Sequence, residues 1–331
     1  MRLAVLLVTL MTAACNSADE DGSPTSPGRL GARTLTVGPS QPYTSIQMAL
    51  DAALPGATIT VMPGTYAERL VITKSIKLQG NQAVLDGLAG GLDGRFLGID
   101  VKADDVEMTG FTIQNYERGI VAESVSNFRL RASEVRNNTS KDPPPISAGV
   151  TKSDGVVLYS VQNSEITDNF IHDNGSIGVL LAQQIGVTSA SNDNTIRRNR
   201  FGNNGTQQGL PGSGYFGASV LVAAPAARNQ ILDNELSGSY WGTIIYGNGN
   251  TVRGNRISGN SRAGIMIYGQ QNVIENNVVT GNGSANFYPS CRLDLMDMRD
   301  VDNTWRSNTG TFGSGDPPFQ NPVISLFCVS P

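Results

Sequence analysis

A repeated phrase with asparagine at fixed offsets constrains the fold of this chain more than any other feature of its sequence. Each copy opens with a glycine and a short apolar run, and ends in an apolar-x-x-Asn-x-apolar-x-x-Asn phrase. Uninterrupted copies are about 22 residues long, and the clearest are 154–176, 241–262 and 263–284. Weaker copies occupy 98–117, 118–140, 177–205 and 217–240, and the opening glycines are Gly98, Gly119, Gly155, Gly178, Gly217, Gly242 and Gly264. A repeat of this length predicts a solenoid in which each copy forms one coil.

The apolar positions indicate which side chains face the inside of each coil. Strand side chains alternate between two faces, so apolar residues at +1 and +3 from the opening glycine should stack inside, as with Val156 and Leu158. Positions +2 and +4 should then form one outward strip: Asp100/Lys102, Val121/Glu123, Val157/Tyr159, Leu180/Ala182, Ser219/Leu221, Ile244/Tyr246 and Met266/Tyr268.

The asparagines fall into two columns. One column contains Asn169, Asn199, Asn234, Asn255 and Asn277, and the other contains Asn174, Asn204, Asn260 and Asn282. Asparagine tolerates left-handed backbone at a turn, and stacked amides can hydrogen-bond along a solenoid axis. The columns therefore predict a structural ladder and not a set of catalytic groups.

The glycine–asparagine phrase resembles the right-handed parallel β-helix repeat family, which includes pectate lyases and periplasmic copper-maturation proteins. The resemblance implies an all-β fold, a single-stranded right-handed parallel β-helix with its repeats over 98–284. It specifies the fold and says little about activity.

Both ends of such a solenoid need covering. Residues 34–97 should form the N-terminal cap and first coils, beginning with an amphipathic helix that Thr44 and Gln47 start as a capping box. The helix stripe is Ile46, Ala49, Leu50, Ala53 and Leu54, and the segment is similar to the N-terminal part of pectin methylesterases. Residues 285–331 should form the C-terminal cap, stapled by a Cys291–Cys328 disulfide, although two free thiols are the alternative.

The N-terminus is typical of an export signal. Residues 1–14 combine a basic start with a short apolar core, and the Ala-Ala-Cys junction resembles the lipobox of bacterial lipoproteins despite Thr12. This predicts a lipid on Cys15, a flexible tether over 15–33, and an exported protein held at the cell envelope by the anchor alone. An ordinary cleaved signal that contains a cysteine is the alternative.

Charge and composition argue against nucleic acid, metal ions and cofactors as partners. The formal net charge is −4 with no basic block, so nucleic-acid binding is not expected. The chain has one histidine, His172, which is more typical of a solvated turn residue than of a catalytic one. We expect no metal, no cofactor and a monomer.

The outward strip is the predicted working surface because insertions at 141–153 and 206–216 flank it. Tyr159, Tyr246 and Tyr268 could stack on sugar rings there, or the insertions could bury the strip. The sequence thus favours a cell-envelope protein that binds an extended polysaccharide or another partner along this face.

The alternative function is a lyase, epimerase or hydrolase on an acidic glycan. Its best catalytic cluster is Arg118, Asp154, Lys102 and Glu123, although a pair such as Arg118 and Asp154 is more typical of a surface ion pair. The Tyr-Pro-His motif of alginate epimerases is missing, because Ser290 follows Tyr288-Pro289.

Overall fold

The computed structural model describes residues 33–141, 152–205, 217–283, 293–297 and 302–310. The predicted signal peptide, nearly all of the tether, Cys15, and the cysteines Cys291 and Cys328 lie outside these residues, as do most of the two insertions. The lipid anchor and the disulfide therefore stay predictions.

Parallel strands stacked in three rows form the described part of the chain. The first face consists of β4 (Leu70–Ile72), β6 (Leu97–Val101), β8 (Arg118–Glu123), β11 (Val156–Tyr159), β14 (Val179–Ala182), β17 (Ala218–Val222), β20 (Trp241–Ile245), β23 (Ala263–Ile267) and β26 (Leu293–Asp297). The second face consists of β1 (Thr34–Val37), β2 (Ala57–Val61), β5 (Ile76–Asp86), β7 (Glu107–Gln114), β9 (Arg129–Arg131), β12 (Glu165–Thr167), β15 (Thr195–Arg197), β18 (Gln230–Leu232), β21 (Thr251–Arg253), β24 (Val273–Glu275) and β27 (Thr304–Arg306). The long strands β5 and β7 continue into the third face, which adds β3 (Gly64–Tyr66), β10 (Glu134–Arg136), β13 (Phe170–His172), β16 (Arg200–Gly202), β19 (Glu235–Ser237), β22 (Arg256–Ser258), β25 (Val278–Thr280) and β28 (Thr309–Gly310).

The core is built from the inward positions that the repeat predicts. Ile166 on the second face pairs in register with Ile196, and Ile171 on the third face pairs with Phe201. These four side chains are at most 1% exposed. Burying each one stabilises the fold by about 1.5–3 kcal/mol, and the register repeats this contribution from coil to coil.

Asparagine ladders run along the solenoid axis, as predicted, and neighbouring asparagine amides in them bond to each other. In the first ladder Asn169 Nδ2 donates to Asn199 Oδ1 at 3.0 Å, and its members from Asn169 to Asn277 are at most 2% exposed. The second ladder is Asn138, Asn174, Asn204, Ser239, Asn260, Asn282 and Asp294. A third ladder, which the sequence analysis missed, is Asn194, Asn229, Asn250, Asn272 and Asn303.

The prediction that ladder asparagines adopt left-handed backbone is wrong. The left-handed residue is the one before each ladder position, as at Asp168, Arg198 and Asp233 in the first ladder. The ladder residue itself turns its amide inward, because its oxygen accepts from a backbone N–H and its nitrogen donates to a carbonyl of the preceding coil. In each turn, one residue therefore adopts the left-handed backbone and the next residue makes the ladder hydrogen bonds.

One coil departs from the repeat. The residue opposite Gly242 is Ser219, because Val220 pairs with Thr243, so Gly217 does not open this coil as predicted. Ser239 replaces the ladder asparagine of the same coil, and the two serine hydroxyls are 2.8 Å apart and buried. The glycine–asparagine pair of the other coils is therefore a serine–serine pair here.

The N-terminal helix α1 spans Ile46–Ala52. Its N-cap is Ser45, whose Oγ accepts from Met48 N, so the predicted Thr44–Gln47 capping box is wrong. Glu68 accepts hydrogen bonds from the first turn, and Lys74 donates to carbonyls at the C-terminal end. Both charges suit the helix dipole. Of the predicted stripe, Ile46, Ala49, Leu50 and Ala53 are buried, but Leu54 is exposed.

Candidate functional site

The outer surface of the first face is apolar and separate from the interior core. Val157, Leu180, Leu221 and Ile244 occupy one column there and are at most 7% exposed. With their neighbours they form a second hydrophobic cluster. The outward strip therefore has a buried central column, and its more exposed residues come from the column beside it.

That neighbouring column differs from the prediction at one coil. Because Ser219 opens its coil, the outward residues are Leu221 and Ala223 in place of Ser219 and Leu221. The column therefore contains, in axial order, Lys102, Glu123, Tyr159, Ala182, Ala223, Tyr246 and Tyr268. Two successive alanines separate Tyr159 from Tyr246.

A cavity of about 610 Å³ lies at these alanines. Its lining includes Tyr159 and Tyr246, with Ala182 and Ala223 between them. Neighbouring strands are about 4.8 Å apart, so three strand steps place the Cα atoms of the two tyrosines about 14 Å apart. We call this cavity, whose lining includes Tyr159 and Tyr246, the tyrosine slot.

The three predicted binding tyrosines do not form one continuous platform. Tyr246 and Tyr268 stack on each other, with ring centroids 4.6 Å apart and ring planes 10° apart. Burial, and then Tyr268, raise the pKa of Tyr246. Tyr246 is part of the slot lining and Tyr268 backs its ring from the next coil.

Tyr159 is the second tyrosine of the slot lining. It is partly buried against the apolar cluster, and burial raises the pKa of its hydroxyl. Arg118, Asp154 and Glu123 all act electrostatically on this hydroxyl. The phenol is therefore neutral at physiological pH, so its hydroxyl can both donate a hydrogen bond to a ligand and accept one from it.

Two sets of ion pairs contain the four predicted catalytic residues. Arg118 Nε lies 3.5 Å from Asp154 Oδ2, and Asp154 is fully buried, with Oδ1 accepting from Ile177 N at 3.2 Å. Lys102 contacts Glu123 and lies 3.2 Å from Asp100. Arg118 and Glu123 are part of the slot lining. Asp154 has no exposed surface through which to meet a substrate.

A braced turn at the edge of the slot was not predicted from the sequence. Val187 N donates to Gln184 O, and Gly186 has a φ of 82°. Gln184 is held further by Ser124, whose Oγ donates to its Oε1 at 2.7 Å. The turn presents Ile185 to the slot with 94% of its surface exposed. A glycine after an isoleucine in a polar segment is the only sequence signal for it.

His172 lies on the third face and takes no part in the slot. Its ring nitrogens are 2.9 Å from Glu134 and 2.5 Å from Asp173, and its ring stacks on Phe170 at 3.8 Å. It is therefore a partly buried strand residue and not the solvated turn histidine expected. Across the described ranges, no group of three or more His, Cys, Asp or Glu side chains is placed to hold a metal ion.

Comparisons with known proteins agree with this architecture. Residues 96–240 match the model of the right handed beta helix region, and residues 215–292 match that of the periplasmic copper-binding protein (NosD). A cell surface glycoprotein of Methanothermus fervidus is 30% identical over 101 residues, which is 30% of this chain and 16% of that protein.

Solved structures show the same fold at low sequence identity. The Dettilon tailspike protein is 14% identical with a TM-score of 0.55, covering 77% of this chain and 56% of that one. An alginate lyase from Paenibacillus sp. str. FPU-7 is 13% identical with a TM-score of 0.53, covering 85% and 96%. Pectate lyase Pel9A is 15% identical with a TM-score of 0.50, covering 88% and 80%.

None of the helices in the described residues has the length and apolar character needed to cross a membrane. The parallel strand register, the stacked coils and the matched family models lead to the same assignment. The chain belongs to the right-handed parallel β-helix family.

Proposed function

We propose that this protein is an exported cell-envelope protein that binds a polysaccharide in the tyrosine slot without cleaving it. The slot, with two tyrosine rings and an apolar floor in its lining, is the observation that carries this proposal. It replaces the extended strip expected from the sequence with a shorter site that runs along the column from Glu123 to Tyr246.

The chemistry of the slot suits a saccharide. Sugar rings combine apolar C–H faces with hydroxyl edges, and tyrosine offers a flat apolar ring with a hydroxyl. Leu180 and Leu221 supply an apolar floor, while Gln183 and Gln184 supply amides that both donate and accept hydrogen bonds. A few polar groups around an apolar cavity are typical of ligand sites.

The arrangement of carboxylates argues against cleavage. Glycoside hydrolysis generally uses two carboxyl groups that flank the scissile bond. Among the described lining residues Glu123 is the one carboxylate, and Lys102 is bound to it. Asp154 is the nearest other candidate, and it is buried in its pair with Arg118.

The cellular location is part of the same proposal. One matched family model is named for a periplasmic protein and one relative is a cell surface glycoprotein, which supports export. Attachment through a lipid on Cys15 and a Cys291–Cys328 disulfide in a C-terminal cap complete the proposed envelope protein.

The test is calorimetric titration of the purified protein with a panel of polysaccharides, followed by assays for new reducing ends and for ultraviolet-absorbing unsaturated products. We expect binding without products. Tyr246→Ala should weaken binding about tenfold, which is about 1.4 kcal/mol, because it removes one of the two rings from the slot lining. Phe170→Ala, which removes a ring from the third face, should bind as the wild type does.

Binding that survives Tyr246→Ala unchanged would place the ligand elsewhere. The appearance of cleavage products would instead establish the lyase, epimerase or hydrolase alternative.

A further inference from the structure

We infer that the tyrosine slot selects electrically neutral saccharides and discriminates against polyuronates, the sugars that carry a carboxylate on each unit. This inference rests on the proposed function and names the class of saccharide that the site takes. The charges and the apolar floor of the slot support it.

The cation at the slot already has a counter-ion inside the protein. Arg118 retains 17% of its side-chain exposure, and its guanidinium lies 3.5 Å from the carboxylate of Asp154, which retains none. A buried carboxylate is stable only when it is paired with a cation. Asp154 therefore keeps the guanidinium of Arg118 in an ion pair within the protein. A ligand carboxylate would have to compete with Asp154 for that guanidinium.

The second cation near the slot is shared between two carboxylates. Lys102 contacts Glu123 and also lies 3.2 Å from Asp100. Among the described lining residues, Arg118 and Glu123 are the two that carry a charge, and each already faces an opposite charge, Asp154 for Arg118 and Lys102 for Glu123. A polyuronate carboxylate would therefore gain little attraction from Arg118 and would be repelled by Glu123.

Desolvation acts in the same direction. The floor of the slot is made by Leu180, Leu221 and two alanines, which offer no hydrogen bond to an anion. Moving a carboxylate into such surroundings without a cation is strongly unfavourable. Moving hydroxyl and N-acetyl groups into the slot costs much less free energy. The amides of Gln183 and Gln184 and the tyrosine hydroxyls can form hydrogen bonds with them there.

The experiment compares oligosaccharides that differ only in oxidation at C6, such as a β-1,4-linked mannose hexamer and the matching mannuronate hexamer. Both are titrated into the wild-type protein by calorimetry, at about 0.05 M and about 0.5 M salt. The neutral hexamer should bind at least about tenfold more tightly, which is 1.4 kcal/mol. Its affinity should not change with salt.

A variant that removes the counter-ion of Arg118 tests whether this ion pair causes the selectivity. Asp154→Asn keeps an oxygen for Ile177 N but removes the charge that Arg118 balances, so mannuronate binding should rise about tenfold, by 1.4 kcal/mol. Asp168→Asn is the matched control, since it removes the partner of Arg198 at an exposed turn and should change neither affinity.

The outcomes separate the two claims. If the mannuronate hexamer binds as tightly as the neutral one, and salt weakens it, the selectivity is refuted while saccharide binding stands. If no saccharide of either kind binds, the proposed function fails and the selectivity fails with it. Should Asp154→Asn not fold, the wild-type comparison already decides the question.

Discussion

The Ser219–Ser239 pair allows a quantitative test of how a coil is built. In five other coils an added Cβ on the opening glycine would lie 2.9–3.1 Å from the amide nitrogen of the ladder asparagine. Ser219 already carries a Cβ, so an asparagine at position 239 should fit only if Ser219 becomes glycine. The perturbation is therefore Ser219→Gly, Ser239→Asn and the two together.

The expected magnitudes follow from the contacts. Ser239→Asn alone overpacks the site and should destabilise the protein by about 1–3 kcal/mol. Ser219→Gly alone removes the 2.8 Å hydroxyl contact, about 1 kcal/mol, and adds roughly 0.5–1 kcal/mol of backbone entropy. The double variant relieves the clash and can extend the amide ladder from Asn204 to Asn260. Its free energy of unfolding should lie within about 1 kcal/mol of the wild-type value, which gives a coupling of about 3 kcal/mol.

Urea denaturation of the four proteins, followed by far-ultraviolet circular dichroism, measures the free energies of unfolding. If the double variant loses as much stability as the two single variants combined, within about 0.5 kcal/mol, the compensating-pair argument is wrong.

Further predictions concern the ladders and acid stability. Asn199→Ala removes four buried hydrogen bonds, to Asn169 and Asn234 among others. Urea denaturation should show a loss of about 3–5 kcal/mol in the free energy of unfolding. The control Asn248→Ala, at an exposed position, should lose less than about 1 kcal/mol. Equal losses would show that the ladder is not a main source of stability. Burial raises the pKa of Asp86, but hydrogen bonds, including those from Asn115 and Gln114, outweigh it and hold the pKa below its usual value. That stabilisation is present above the unfolded pKa of about 3.9 and is lost as the pH falls through the folded pKa, so Asp86→Asn should flatten the loss of stability below about pH 4. An unchanged acid slope in unfolding experiments would contradict this.

The fold was predictable because one pattern recurs in most coils. The inward columns and two ladders follow from apolar residues and asparagines at fixed offsets, as at Ile166 and Asn169. The third ladder was missed because its members, such as Asn194, lie in the polar break between the recognised phrases. Glycine was a misleading marker at Gly217, since Ser219 fills the opening position of that coil.

The site was less predictable because it depends on small residues brought together from different coils. The sequence analysis identified the tyrosine column, but the one-coil misassignment hid Ala223, and with it the gap between Tyr159 and Tyr246. The ionic state of Arg118 and Asp154 also required the structure, since the sequence gives their register but not the complete burial of Asp154.

The most direct test of the central claim is to fill the slot. Ala223→Trp would place an indole between the two tyrosines, while Ser258→Trp adds the same side chain to an exposed position on the third face. Binding of the neutral hexasaccharide is measured by calorimetry, with circular dichroism to confirm that both variants are folded. The slot account predicts that Ala223→Trp abolishes binding and Ser258→Trp preserves it. Wild-type affinity in folded Ala223→Trp would contradict the account.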